Sequence, residues 1–437
     1  MSKRPTKQIV VWLFIFIYSA FVYQHGVKQL LEPNIDFPAF YWGAKLAFVE
    51  HRSPYTVDAF AEAKVQIEQH IFPYLYPPQS LLVFYPLTFF RYGVAKAVML
   101  IINHACILLF MYLFFFKITE INIEEKFYEF TIPLFIVYTL GFYPVVANLI
   151  HGQINQIVLL LLCLTWYAMK KQAGSWLIAL PLSMAILMKT YPALFILLLI
   201  INKRYRAVLW VCALLLAYSI VAYLVLPHAV WTDWVTNVLP TGGYGQVPFN
   251  LFSPAEMRNH SINGFISRIF LKNEFSEALW PNPALARTLP YLLSFCVVAI
   301  SIGVCYLASR SGHDAGRLID LEFSVFLLLM IMVGPLSWES HLVFVLPPAL
   351  IAISCLLARR RSYFLQLMVV LSLFVIAWDI PITYPALRKG VLTLAIAAKF
   401  YAVVVLWIYF VLQIHRFARG TQPAAQAQAT PELLHAG

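Results

Sequence analysis

Asn34 to Tyr55 reads NIDFPAFYWGAKLAFVEHRSPY, and it begins where the first long apolar run, Ile9 to Leu31, stops. It therefore sets a carboxylate, Asp36, at the edge of a membrane. Ala39, Gly43 and Ala47 fall at i, i+4 and i+8 and give a short helix one small-residue face for close packing, while Pro38 suits its first turn. This helix is expected to lie along the outer membrane surface. Residue type alone leaves Asp36 two roles, cap of that helix or carboxylate presented to a reaction centre.

Composition makes the membrane necessary. Of 437 residues, 61% are hydrophobic and 12% charged, against the roughly 45–50% apolar usage of soluble domains. Apolar runs long enough to cross about 30 Å of hydrocarbon as helix recur from end to end. The formal charge of +11 comes mostly from short segments between those runs, a topological placement and no footprint for nucleic acid. All six cysteines lie inside apolar segments, without metal-ligand spacing.

Charge then orients the chain. Lys3, Arg4 and Lys7 are taken as cytoplasmic, and the run after them, too long for a signal-peptide core, stays on as an anchor. The first helix delivers Asp36 outside. An outer segment of about 32–93 follows, with Asp58, Glu62, Lys64 and Glu68 as a solvated helix face and Tyr76-Pro77-Pro78 as a break. Ser80 to Phe90 is too short to span and is expected at the interface or re-entering. Ser175 to Ile201 as one helix would place two basic clusters on opposite sides, so it is split at Lys189-Thr190-Tyr191-Pro192, with Lys189 near the outer face. A second outer segment occupies about 227–287. The result is an all-α polytopic membrane protein of about twelve crossings with two large outer loops. Both termini are inside, residues 1–419 form a single integral membrane domain, and 420–437 are a disordered cytoplasmic tail. Twelve Lys and Arg fall in the inner short loops and three, Lys189, Arg388 and Lys389, in the outer ones.

Polar residues beside a membrane are costly unless satisfied or used, which directs the search to the outer helix ends. Asp36 with Tyr41, the turn Asn148–Gln156, Lys189 with Tyr191, and Ser337–His341 gather there, and the second loop adds Arg258–Gly264. No metal-ligand spacing and no phosphate-cradling Gly-rich loop is present, so neither metal nor cofactor is expected. A lipid-linked donor fits, because a polyprenyl phosphate keeps its chain in the bilayer and its head group at the surface. Lys189 and Arg258 are the candidate cations for the leaving phosphate, and Asp36 could accept the proton of an incoming hydroxyl. By residue type, Lys189 could equally mark a helix end, and His151, His260 and His341 could be interfacial hydrogen-bonding residues.

Taken in order, these residues resemble glycosyltransferase family 87. They are Asp36-Phe37 with Tyr41, Pro54-Tyr55, Tyr76-Pro77-Pro78, Gly152-Gln153-Ile154-Asn155, Lys189 with Pro192, Asn259 with Ser261 and Asn263-Gly264, and Ser337-Trp338 with His341. The resemblance runs from about residue 34 to 348 and implies the C-type membrane glycosyltransferase fold. It also implies a polyprenyl-phosphate-sugar-dependent hexosyltransferase, usually of mannose, that works without a metal, inverts the sugar and acts on the non-cytoplasmic face of the cell membrane. Asp36 matches the family's general base, Lys189 its lysine and His341 its histidine; Tyr41, Gln153, Asn155, Asn259, His260, Trp338 and Glu339 are then expected to contact substrate. Ser53, His260 and Glu339-Ser340 depart from the usual residues at their positions. The expected partners are membrane lipids, the polyprenyl-phosphate sugar and a lipid or glycan acceptor. A transporter or flippase of lipid-linked saccharides is the second reading. It ranks lower because the polar groups gather at one face and no internal repeat is visible.

Overall fold

The computed structural model describes residues 4–31, 35–59, 61–62, 72–119, 131–246, 253–311, 315–358, 363–380 and 384–419. Asn34, Lys64, Glu68, Lys126 and the tail 420–437 lie outside the described residues. Among the described residues the chain is helical, with no strand. The principal helices are α1 (Arg4–Leu31), α2 (Phe37–Phe48), α3 (Tyr92–Leu113), α4 (Thr131–Gly141), α5 (Tyr143–His151), α6 (Asn155–Lys170), α7 (Ser175–Met188) and α8 (Leu194–Ile201). They continue with α9 (Tyr205–Val225), α10 (Ile262–Phe270), α11 (Pro283–Ser309), α12 (Ala315–Val333), α13 (Leu346–Ala358), α14 (Tyr363–Ala377) and α15 (Ala398–Ala418).

Among the described residues six stretches have the length and apolarity to cross a bilayer: Tyr92–Ile118, Thr131–His151, Tyr205–Val225, Pro283–Ser309, Glu339–Leu357 and Gly390–Ala418. Five further apolar helices are shorter, among them Asn155–Lys170, Ser175–Met188 and Tyr191–Ile201. About twenty apolar residues are needed for a full crossing as a straight helix, and internal breaks leave several runs below that length. α12 qualifies less readily because Arg317, Asp320 and Glu322 crowd its first turns.

The small-residue face of α2 is used as its spacing suggests. A Cβ on Gly43 would stand 3.0 Å from the Tyr74 ring and 3.4 Å from Leu81, so α2 packs directly on the segment 74–89. That segment covers it so well that ten of its twelve residues are buried. α2 is an interior element rather than a surface one, because Phe40, Tyr74 and Phe84 close over it; Phe40 and Phe84 stack at 4.7 Å.

α7 packs between α6 and α9, and α12 against α15, while the turn Glu339–Val345 lies along α5. α6 thereby links two ends of the molecule. Its N-terminal residue Asn155 accepts from the Tyr191 hydroxyl at 3.2 Å. At the other end, Lys170 donates to Asp320 at 2.8 Å, and the Trp166 indole donates to the same carboxylate at 3.0 Å. Trp166 stacks on Phe323 at 4.8 Å, and Phe195 packs on Phe323 at 4.9 Å.

Candidate active site

Three local structures build the site. α5 ends through Gly152, whose φ of +67° lies in the left-handed region that favours glycine. Its turn is closed by the Gln153 N–H donating to Asn148 O at 3.0 Å. The side-chain amides of Asn103 and Asn148 both donate to the Gln153 main-chain carbonyl, at 3.0 and 3.2 Å, which fixes the backbone from which the Gln153 side chain extends. α7 stops at Met188, and Lys189 is extended, with φ −147° and ψ 137°. Pro192 forbids the continuation, since it lacks the N–H that Met188 O would need. The expected break at Lys189 is therefore real and turns its side chain inward. The third structure is the turn Trp338–His341, in which the Trp338 N–H donates to His341 Nδ1 at 3.0 Å.

These pieces converge. The Asp36 N–H donates to His151 O at 3.0 Å, and its carboxylate lies 3.9 Å from His151 Nδ1. Gln153 lies between them: its side chain lowers the Asp36 carboxyl and the Tyr76 hydroxyl, while its Oε1 accepts from Lys189 Nζ at 3.1 Å. Lys189, only 1% exposed, also meets His341 Nε2 at 3.0 Å and stands 5.5 Å from the Tyr76 ring and 5.8 Å from the Tyr191 ring. Although Asp36 occupies the N-cap position of α2, its side chain makes no capping hydrogen bond. The carboxylate is thus free for the site. A helix N-terminus alone would hold this carboxyl low. Burial instead raises it above its ordinary value, opposed by His151, Gln153 and Lys189. Burial likewise lowers Lys189 to about 7, against the attraction of Asp36.

A second polar group adjoins the first through the Trp338–His341 turn. Glu339 lies between His260, whose Nε2 is 3.1 Å away, and Lys399, which donates to its other oxygen. Burial lowers the His260 imidazole, with Glu339 acting the other way. Among the described residues no three His, Cys, Asp or Glu side chains assemble as a metal would require.

Other expected contact residues carry structural duties. Tyr41 spends its hydroxyl on Phe90 O at 2.8 Å. Asn259 pins two segments together: its Oδ1 accepts from the Ser337 N–H at 3.0 Å and its Nδ2 donates to Pro335 O at 3.2 Å. Asn155 Oδ1 accepts from the Tyr191 hydroxyl at 3.2 Å. Arg258 acts on Lys399 and Tyr143, so it belongs with the second group. Trp338 contributes its backbone N–H to His341. Gly264 is imposed by packing, because a Cβ there would stand 2.3 Å from Asn259 O.

Sequence reasoning passed over Lys399 and the side chain of Tyr76. The signal for Lys399 was present: it is the one charged residue in the run Val391–Ile414, and a buried charge in a span is retained where it is paired or used. Tyr76 enters the sequence reading as part of a proline break and of the family resemblance, with no role for its side chain.

Comparison with known proteins supplies the rest. The chain is 23% identical over 240 residues to the polyprenol-phosphate-mannose-dependent alpha-(1-2)-phosphatidylinositol mannoside mannosyltransferase of Mycobacterium tuberculosis. It is 26% identical over 247 residues to the protein of the same description from Mycolicibacterium smegmatis. Each alignment covers 55% of this chain and 50% of the relative, so the chain spans about half the length of the curated relatives it matches. No solved structure matches. The family profile described as Glycosyltransferase family 87 matches residues 74–335, more than half of the chain and including Tyr76, Gln153, Lys189 and Asn259. With its apolar helices, this match makes the protein a membrane protein that belongs to glycosyltransferase family 87.

Proposed function

We propose that the protein is a mannosyltransferase of the cell membrane. It moves mannose from a polyprenyl-monophosphate carrier to a hydroxyl of a lipid or glycan acceptor on the non-cytoplasmic face, with inversion, both termini being cytoplasmic. Residues 1–419 act as one catalytic membrane domain. The acceptor oxygen attacks the anomeric carbon from the side opposite the phosphate. A carbon–oxygen bond to the acceptor forms as the bond to phosphate breaks, the acceptor proton passes to Asp36, and polyprenyl phosphate departs.

One observation carries the reading: Gln153 Oε1 accepts from Lys189 Nζ while the Asp36 carboxyl feels both Gln153 and Lys189. A proton acceptor and a phosphate-neutralising amine are thereby held together in a desolvated pocket, where electrostatic stabilisation of a leaving group is strongest. His341, in contact with Lys189, sets the state and position of that amine. His260, Glu339 and Arg258, close to this turn, would meet the acceptor or the sugar. Asn155 Nδ2 and His260 Nδ1, buried without a partner among the described residues, are available to substrate hydroxyls. The names of the mycobacterial relatives make a phosphatidylinositol mannoside the first acceptor to test.

The experiment is transfer of radiolabelled mannose from polyprenyl-phosphate-mannose by purified protein, wild type against Asp36→Asn. Transfer by wild type and a loss of about 10²–10⁴-fold in the variant are expected. Wild-type turnover in a folded Asp36→Asn protein removes Asp36 as base, and no transfer to any such acceptor removes the transferase reading.

A further inference from the structure

His151 is the last residue of α5, one step before the left-handed Gly152. Its carbonyl accepts the Asp36 N–H at 3.0 Å, so the two main chains are locked together, and its Nδ1 faces the Asp36 carboxylate at 3.9 Å. That gap exceeds a hydrogen bond by about 1 Å, a distance that a small rotation of the ring closes. The other two histidines of the region are already engaged. His341 has committed both ring nitrogens, to Lys189 and to the Trp338 N–H, and His260 Nε2 meets Glu339. Among the described residues the His151 ring makes no hydrogen bond, and its side chain is 25% exposed.

The transfer step creates a need for such a group. Each turnover leaves the acceptor's proton on Asp36, and a protonated carboxyl cannot serve as base again until that proton has left. The groups that act on Asp36 are His151, Gln153 and Lys189, with the Tyr76 hydroxyl also within its influence. An amide is no base, and a phenol gives a proton sooner than it takes one. Lys189, once it holds the leaving phosphate, is an ammonium with no lone pair to offer. Inversion sets that phosphate on the far side of the anomeric carbon from Asp36. The imidazole is left as the base within a ring rotation of the carboxyl, and imidazole is the side chain suited to passing protons near neutral pH.

We propose that His151 is the proton relay of the reaction, taking the acceptor's proton from Asp36 and handing it to the surrounding water. The assignment rests on the transferase reading above. The O–H bond of protonated Asp36 breaks, its electron pair stays on the carboxylate, and the proton bonds to His151 Nδ1. The resulting imidazolium releases a proton from Nε2 to water, and the part-exposed ring recovers its starting tautomer by exchange with the same solvent. While it lasts, the imidazolium also favours the ionised carboxyl beside it. His151 touches no substrate in this scheme; it resets the base between turnovers.

The test separates the first turnover from later ones, by quenched-flow mixing of the intact protein in lipid nanodiscs with radiolabelled polyprenyl-phosphate-mannose and a phosphatidylinositol mannoside. His151→Ala and His151→Gln are compared with wild type. Both keep the carbonyl that holds the Asp36 N–H, and neither side chain can carry a proton. Asp36 begins ionised, so each variant should show a burst of about one product per protein molecule, then a steady rate roughly 10²-fold below wild type. Imidazole in solution should enter the space opened in His151→Ala and restore its steady rate in proportion to concentration. Slow product release or a misplaced helix would not respond in that way. A steady rate equal to wild type in either variant overturns the proposal, and so does a burst lost in both with no rescue by imidazole. In each of those cases wild type still transfers mannose and the relay alone falls. If wild type makes no product even in its first turnover with any such acceptor, the transferase reading falls and the relay with it.

Discussion

Lys189 Nζ stands 3.0 Å from His341 Nε2, while His341 Nδ1 accepts the Trp338 N–H at 3.0 Å. A neutral imidazole whose Nδ1 is an acceptor carries its proton on Nε2, and that proton points at Lys189. Two donors cannot face each other, so the pattern assigns Lys189 as the neutral amine in this state, able to accept from His341 and to donate to Gln153. An arriving phosphate reverses the balance, because its charge favours the ammonium.

The first prediction is a pH dependence. In the free protein Lys189 titrates at about 7, below its ordinary 10.5, so the ammonium is present below that pH and is lost as pH rises through it. kcat/KM for the donor should fall by about tenfold per pH unit on the alkaline side. Lys189→Arg keeps its charge and should move this limb to higher pH, while Lys189→Met should lower donor affinity at every pH.

Stability should follow the opposite course. Between about pH 7 and 10.5 the unfolded chain binds a proton at Lys189 that the folded chain does not, so this group's contribution rises with pH through the window. Melting of Lys189→Met against wild type in detergent should show the variant's advantage at pH 6 shrinking towards pH 10.

Gln153→Leu removes the side-chain amide that acts on Asp36. That amide lowers the carboxyl against the upward pull of burial, so its loss should move the acid limb of the pH profile to higher pH. A hydrogen bond to a charged group contributes about 1.5–3 kcal/mol, equivalent to roughly a ten- to hundredfold fall in kcat/KM. An acid limb that stays in place would show that Gln153 does not act through Asp36.

Glu339 and Lys399 are buried, at 4% and 2% exposure, and paired with each other. Lys399→Met or Glu339→Gln alone should destabilise by about 3–5 kcal/mol, because each strands a charge. The double variant should recover much of that loss in a chemical-denaturation cycle. Additive losses would mean that the two side chains are stabilised separately.

Gly264→Ala forces a methyl to within 2.3 Å of Asn259 O. The segment that Asn259 ties to Ser337 and Pro335 must shift, at a cost of about 1–3 kcal/mol. Limited proteolysis should show earlier cleavage near 253–261 than in wild type.

What was legible in the sequence follows from periodicity and punctuation. Apolar runs marked the helices, and Pro192 with two flanking basic clusters marked the break at Lys189, because backbone rules act over a few residues. The small-residue face of α2 foretold close packing but not its cover, since the segment 74–89 folds over it from elsewhere in the chain. Residue type leaves Asp36 undecided between cap and base, and in the structure its side chain makes no capping hydrogen bond. That the Tyr41 hydroxyl meets Phe90 O and the Asn259 amide Pro335 O is not legible in the sequence, because order along the chain does not reveal which hydrogen bonds a side chain makes. Lys399 was missed for a complementary reason: its partner Glu339 is sixty residues away, and pairing is a tertiary fact.

The two ends of α6 have a consequence for traffic. Asn155 accepts from the Tyr191 hydroxyl at one end, and Lys170 is tied to Asp320 some 22 Å further on, at roughly 1.5 Å per residue. The interval is occupied by buried Leu159, Leu162 and Cys163 and by the Phe195–Phe323–Trp166 aromatic packing. A hydroxyl-rich head group forced through it would shed its hydrogen bonds at several kcal/mol apiece. For a saccharide this interval along α6 is a barrier, filled by apolar and aromatic side chains that offer its hydroxyls nothing to bond.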